Sequence, residues 1–134
     1  MTLVDTNVII DVLTRDPDWE NWSADRLQAR RASGPLFINE IGYAELAVHI
    51  ESEANLQLAL AELTLQLQRT PTTALFAAGS AFGRYRRAGG PRTSILPDFL
   101  IGAHAQSARM PLLTRDTRRY RAYFPDVKLI APEA

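Results

Sequence analysis

The stretch Leu3-Val4-Asp5-Thr6-Asn7-Val8-Ile9-Ile10-Asp11-Val12-Leu13 decides how this chain folds. Leu3 and Val4 are a very short apolar run that stops at a carboxylate, the pattern of a buried strand end. Thr6 and Asn7 carry side-chain oxygens that can cap a helix, and the apolar residues after them continue it over about 8–13.

Reading outward, the same alternation recurs. Asp16-Pro17 suits an N-cap and first helical position, and the helix it opens runs to Gly34, a natural stop. Leu36-Phe37-Ile38 reads as a second strand, after which Asn39 caps a helix over about 40–51. A further helix is expected over about 54–67, with Leu56, Leu60, Leu63 and Leu67 on one face. Residues 69–72 read as short and extended, 74–88 as helical, and Gly89-Gly90-Pro91-Arg92 as a loop. Leu96-Pro97-Asp98 opens a helix to about 109. Leu112-Leu113-Thr114 is a strand, Arg115-Asp116 a turn, 118–123 a short helix, and Val127-Lys128-Leu129-Ile130 the last strand. Short apolar strands separated by helices predict an α/β fold of three layers, with a central parallel sheet of about five strands and helices on both faces. Ligands of such sheets sit beyond the carboxyl ends of the strands, where Asp5 and Asp116 are expected.

The length of 134 residues suits a single domain over 1–134 that needs no staples. With no cysteine, a disulfide framework, a thiolate zinc site and a cysteine nucleophile are excluded, and the composition fits a cytoplasmic protein. No apolar run reaches the ~18 residues of a membrane span, and Met1-Thr2-Leu3-Val4-Asp5 lacks the basic start of a signal peptide. A net charge of zero conceals a polarity. Residues 1–62 hold 11 acids against 4 arginines, whereas residues 84–121 hold 9 arginines against 2 acids. Arginine suits bidentate phosphate contacts and stacking on bases, so the second segment fits an anionic polymer, with solvated helix faces or a protein partner as the plainer alternative.

Asp5, Glu45, Asp98 and Asp116 stand apart because each lies at a strand end, a helix start or beside an apolar stripe. Each has an ordinary explanation: a cap for Asp5, a solvated flank for Glu45, a first-turn dipole residue for Asp98, a turn residue for Asp116. Converging on one pocket, they would repel by roughly 1–4 kcal/mol per close pair, a cost that a divalent cation offsets. The four together therefore point to a Mg²⁺- or Mn²⁺-dependent phosphodiesterase, read as a ribonuclease, and the basic segment suits an anionic polymer as its substrate. His49 and His104 match no metal-ligand spacing, and Trp19, Trp22, Tyr120, Tyr123 and Phe124 read as packing or interface residues. No phosphate-binding glycine loop, zinc-protease helix motif or nucleophile-elbow serine is present.

Four segments carry a resemblance: Val4-Asp5-Thr6-Asn7-Val8-Ile9-Ile10-Asp11, Tyr43-Ala44-Glu45-Leu46, Leu96-Pro97-Asp98-Phe99-Leu100-Ile101-Gly102-Ala103-His104-Ala105 and Leu112-Leu113-Thr114-Arg115-Asp116. In this order they resemble the PIN-domain family, and within it the VapC-like toxin ribonucleases of bacterial type II toxin–antitoxin pairs. The resemblance covers nearly the whole chain. It implies that the family's three invariant acids fall on Asp5, Glu45 and Asp98, its less regular fourth acid on Asp116 and its auxiliary hydroxyl on Thr114. It also implies a homodimer and a cognate antitoxin. Asp5 and Asp98 would be the main Mg²⁺ ligands, Glu45 and Asp116 would hold its waters or a second ion, and Thr114 would orient Asp116 or a water. Phosphate contacts are expected among Arg84, Arg86, Arg87, Arg92 and Arg115.

Rival readings exist. A phospho-signalling receiver shares the length, the parallel sheet and an acidic Mg²⁺ pocket, but Asn39 stands where its phospho-accepting aspartate would, and Lys128 lies inside the last strand. A ribonuclease-H-like nuclease places strands, not a helix, after its first acid. A catalytically inactive RNA- or protein-binding module would have no reason to keep the acid set.

Overall fold

The computed structural model describes residues 1–91 and 96–133. Five strands form one sheet: β1 (Thr2–Val4), β2 (Leu36–Ile38), β3 (Leu65–Leu67), β4 (Leu112–Leu113) and β5 (Leu129–Ile130). Their order is β3-β2-β1-β4-β5 and every pairing is parallel. The helices are α1 (Thr6–Leu13), α2 (Glu20–Ser33), α3 (Glu40–Ala47), α4 (Glu53–Glu62), α5 (Thr72–Arg87), α6 (Leu96–Ala108) and α7 (Arg118–Tyr123). Neighbouring strand residues face opposite sides. Leu3 and Leu112 pack into a core with Ala74, Ala78, Phe99 and Tyr120, whereas Val4 and Leu113 pack into another with Val8, Ile9, Leu27, Leu46 and Leu56. Helices α5, α6 and α7 thus cover one face and α1 to α4 the other, the three-layer α/β arrangement expected. The central strands β1, β2 and β4 are buried on both faces and read as apolar runs, whereas the edge strand β3 is exposed at Gln66 and Leu67.

The boundaries differ from expectation in instructive ways. Helix α1 starts at Thr6, not Val8, because Asp5 is its N-cap: Asp5 Oδ1 accepts from the Thr6 N–H at 2.8 Å. Asp16 caps a turn ahead of α2 rather than the helix itself, accepting from the Asp18 and Trp19 N–H groups, so α2 starts at Glu20. The helix expected over 40–51 ends at Ala47, and Ser52 caps a separate α4. The helix expected over 54–67 stops at Glu62, because Thr64 turns the chain at a φ of 57°. Left-handed backbone is uncommon for a branched residue, and here Arg31 holds the loop by donating to Thr64 Oγ1 and the Leu63 carbonyl. Leu65 to Leu67 then become the edge strand, displacing the extended segment expected at 69–72. That segment is instead anchored by Glu40, which accepts from the N–H and hydroxyl of Thr70.

Candidate active site

Asp5 follows β1, Asn39 follows β2 and Thr114 follows β4, so the carboxyl edge of the sheet carries three polar side chains in a row. Asn39 does two jobs there. Its Oδ1 caps α3 by accepting from the Ile41 and Gly42 N–H groups, while its Nδ2 meets His104 Nδ1 on α6 at 3.2 Å. Since the amide nitrogen can only donate, His104 Nδ1 accepts. Burial lowers the His104 pKa, against the opposing charge of Glu40, which keeps the ring neutral for that role. This buried contact ties α3, which bears Glu45, to α6, which bears Asp98.

The four acids meet. Asp5, Glu45, Asp98 and Asp116 line one cleft of about 330 Å³, with Thr6, Asn7, Ile10, Val48 and His49 completing its wall. Asp5 is its floor, only 5% exposed, and Asp116 stands exposed at the rim. A larger hollow of about 400 Å³ lies at the opposite edge of the sheet, before β4 and β5, and has Asp126 as the single carboxylate of its lining.

Asp5 is held from both sides. Besides the Thr6 N–H on Oδ1, the hydroxyls of Thr114 and Tyr120 both donate to Oδ2, each at 2.8 Å. Burial raises the Asp5 pKa, the hydrogen bonds of Thr114 and Tyr120 oppose that rise, and the charge of Glu45 adds to it. Glu45 Oε1 accepts from Thr6 Oγ1 at 2.8 Å, which links α3 to α1. Asp98 is pushed up to about 6 by burial first and by the charge of Asp5 second, with Asp116 and Glu45 adding to it and Arg119 opposing. The acids thus burden one another, and Arg119 offsets only part of that burden.

The four carboxylates fit a hard divalent cation, with an open cleft in front of them. It is not a closed cage. Among the described residues no three Asp, Glu or His side chains stand close enough to enclose an ion, and Arg119 Nη1 donates to Asp98 Oδ2 at 3.1 Å. Such a site suits a divalent ion that takes few carboxylates directly and keeps its waters.

The family model of the PIN domain matches residues 2–125. The chain belongs to the PIN-domain family. Among solved structures, VapBC2 from Rickettsia felis, bound to a promoter DNA fragment, superposes with a TM-score of 0.74 at 18% identity, covering 98% of each chain. VapBC-1 from nontypeable Haemophilus influenzae gives 0.70 at 21%, covering 97% of this chain and 96% of that one. A toxin–antitoxin complex from Klebsiella pneumoniae gives 0.69 at 24%, covering 99% and 98%. At such identities the likeness is one of fold. No curated protein sequence matches the chain.

In this PIN domain, sequence reasoning named the acids but misjudged some neighbours. Thr114 was expected to orient Asp116 or a water; its hydroxyl accepts from the Asp116 N–H at 3.1 Å and donates to Asp5 as well, a contact the sequence did not suggest. Arg115, expected among the phosphate contacts, is committed elsewhere. Its Nε and Nη2 grip the two oxygens of buried Asp11 at 2.6 and 2.9 Å, Ser23 also donates to Asp11, and the guanidinium lies 4.9 Å from the Trp19 ring centre. Arg84, Arg86 and Arg87 are exposed on the last turn of α5, near the start of α6, since Tyr85 packs 5.5 Å from Phe99. Arg92 lies outside the described residues. Arg119 was not singled out, and Tyr120 was read only as a packing or interface residue, because α7 is short and its spacing carries no pattern that points at Asp98 and Asp5.

Proposed function

We propose that this PIN-domain chain is, over residues 1–134, a Mg²⁺-dependent endoribonuclease, the toxin of a type II toxin–antitoxin pair. Mn²⁺ would replace Mg²⁺. The observation that carries the reading is the meeting of Asp5, Glu45, Asp98 and Asp116 in one cleft at the carboxyl edge of the sheet, where Asp98 is pushed up to about 6 by burial and its fellow acids. Burying mutually repelling acids in one cleft is costly, and a divalent cation held among them would offset that cost.

A bound Mg²⁺ would supply a water acidic enough to attack phosphorus and would offset charge on the phosphoryl oxygens. Asp5 and Asp98 would hold it directly, and Glu45 and Asp116 would hold its waters. Thr6, tied to Glu45 by its hydroxyl and to Asp5 by its N–H, would keep those two acids in register. Arg84, Arg86 and Arg87 would grip phosphates flanking the scissile one, and single-stranded or looped RNA would suit a cleft this open. The structural neighbours are complexes of a toxin with its antitoxin, which supports a cognate antitoxin for this chain; a homodimer acting in the cytoplasm belongs to the same proposal.

Asp98→Asn keeps the shape and removes the charge. It should abolish RNA cleavage, chelation should stop the wild-type reaction, and Mn²⁺ should restore it. Full cleavage by Asp98→Asn, or in excess chelator, would refute the assignment. Sequencing the ends of cut RNAs after induced expression would then identify the substrate.

A further inference from the structure

Tyr120 is 2% exposed and its ring lies in the core beneath the cleft. Packing alone would be served by phenylalanine, and a phenol buried without a partner is costly. Its hydroxyl is not idle: it donates to Asp5 Oδ2 at 2.8 Å. The ring reaches this place because α6 carries Gly102 opposite it. A Cβ at Gly102 would stand 3.1 Å from Tyr120 Cδ1 and 2.5 Å from Phe124 Cδ2.

A carboxylate offers about four acceptor positions, two on each oxygen. On Asp5, Thr114 and Tyr120 take both positions of Oδ2, and the Thr6 N–H takes one of Oδ1. One position remains, on Oδ1. We propose that Tyr120 is a positioning residue of the cleft: with Thr114 it closes Oδ2 of Asp5 and leaves Oδ1 as the single oxygen open to a divalent cation. The inference rests on reading the cleft as a metal site. It specifies how the site is tuned, since a carboxylate with both oxygens open could swing, bind through two oxygens, or turn from the cleft. Partners of this kind, one bond behind a metal ligand, typically alter metal affinity by roughly 10- to 100-fold.

The test uses the full-length protein stripped of metal and titrated with Mn²⁺ alone in a calorimeter. Tyr120→Phe should bind Mn²⁺ at least about tenfold more weakly than wild type, while its metal-free melting temperature stays within a few degrees. In RNA cleavage, half-maximal activity should need correspondingly more Mg²⁺, with KM for RNA unchanged once metal saturates. Thr114→Val, which opens the other half of Oδ2, should shift affinity the same way, and Tyr123→Phe should not. Wild-type affinity in either Tyr120→Phe or Thr114→Val overturns the proposal. A wild-type protein that takes up no Mn²⁺ sinks the metal reading of the cleft itself, and the proposal with it.

Discussion

Arg119 Nη1 donates to Asp98 Oδ2 at 3.1 Å, so the chain lends its own cation to one of the cleft acids. The pair is about one-third exposed on each side, 32% for Arg119 and 30% for Asp98, and an ion pair so open to water is weak, roughly 0–1 kcal/mol. It softens the repulsion within the cleft without removing it. Asp98 remains raised, and a divalent ion with its waters would compete with Arg119 on favourable terms.

Metal-free stability should therefore depend on Asp98 in a defined direction. In the fold Asp98 holds its proton up to about 6, against an ordinary value of 3.8. Between those values the folded state binds more protons than the unfolded one, so stability falls as pH rises from about 4 to 6 and stays reduced above. Asp98→Asn should raise the melting temperature of chelated protein by a few degrees near neutral pH and bring no gain below about pH 4. Thermal scans at both ends of that range check it, and an equal gain at both would show that charge is not the cause.

Metal binding should be acid-sensitive over the same range. A carboxylate must release its proton to bind a cation. Below about pH 6, where Asp98 is protonated, Mn²⁺ affinity should fall by roughly tenfold per pH unit or more, because Asp5 is raised as well. Calorimetric titrations between about pH 5 and 8 measure this slope; a flat profile would contradict it.

Arg115 should behave as a structural residue, not as a substrate contact. Its removal leaves Asp11, whose side chain is 2% exposed, with Ser23 as its remaining partner. Breaking a buried pair in this way costs roughly 3–5 kcal/mol. Arg115→Ala should lower the urea midpoint sharply, and Arg115→Lys should rescue it poorly because lysine cannot grip both oxygens. A stable Arg115→Ala protein with weakened RNA binding would reverse the conclusion.

Gly102→Ala tests the clearance behind Tyr120. The added methyl would collide with the Phe124 ring, whose Cδ2 lies 2.5 Å from the built Cβ position. Both Tyr120 and Phe124 are buried, so neither ring can swing out cheaply, and overpacking of this kind costs roughly 1–3 kcal/mol. Chemical denaturation should show that loss, and Mn²⁺ affinity should drop with it if the Tyr120 hydroxyl is displaced from Asp5.

Much of the fold was legible because burial on two faces leaves a plain mark on the strands. Leu3-Val4, Leu36-Phe37-Ile38 and Leu112-Leu113 all form strands at or within a residue of the expected places. Legibility failed at β3. The leucines at 56, 60, 63 and 67 satisfy a helical period, and only the turn at Thr64, held by Arg31 on α2, breaks it. Local spacing cannot report a constraint imposed by a residue 33 positions away. At the site, Asp5, Glu45, Asp98 and Asp116 were legible because a carboxylate beside apolar neighbours is anomalous on its own. The roles of Arg115, Arg119 and Tyr120 were not, because arginine and tyrosine are unremarkable in a turn or on a short helix until one knows what they touch.

The order of residues along the chain was enough to determine the layers, the parallel sheet and the acids at its carboxyl edge, since hydrophobic period and cap chemistry are local. Partnership was decided in three dimensions. Residues distant in sequence compete for the same few hydrogen-bonding positions, and only packing assigns Thr114 and Tyr120 to one oxygen of Asp5, Arg119 to Asp98, and Arg115 away from the cleft to Asp11.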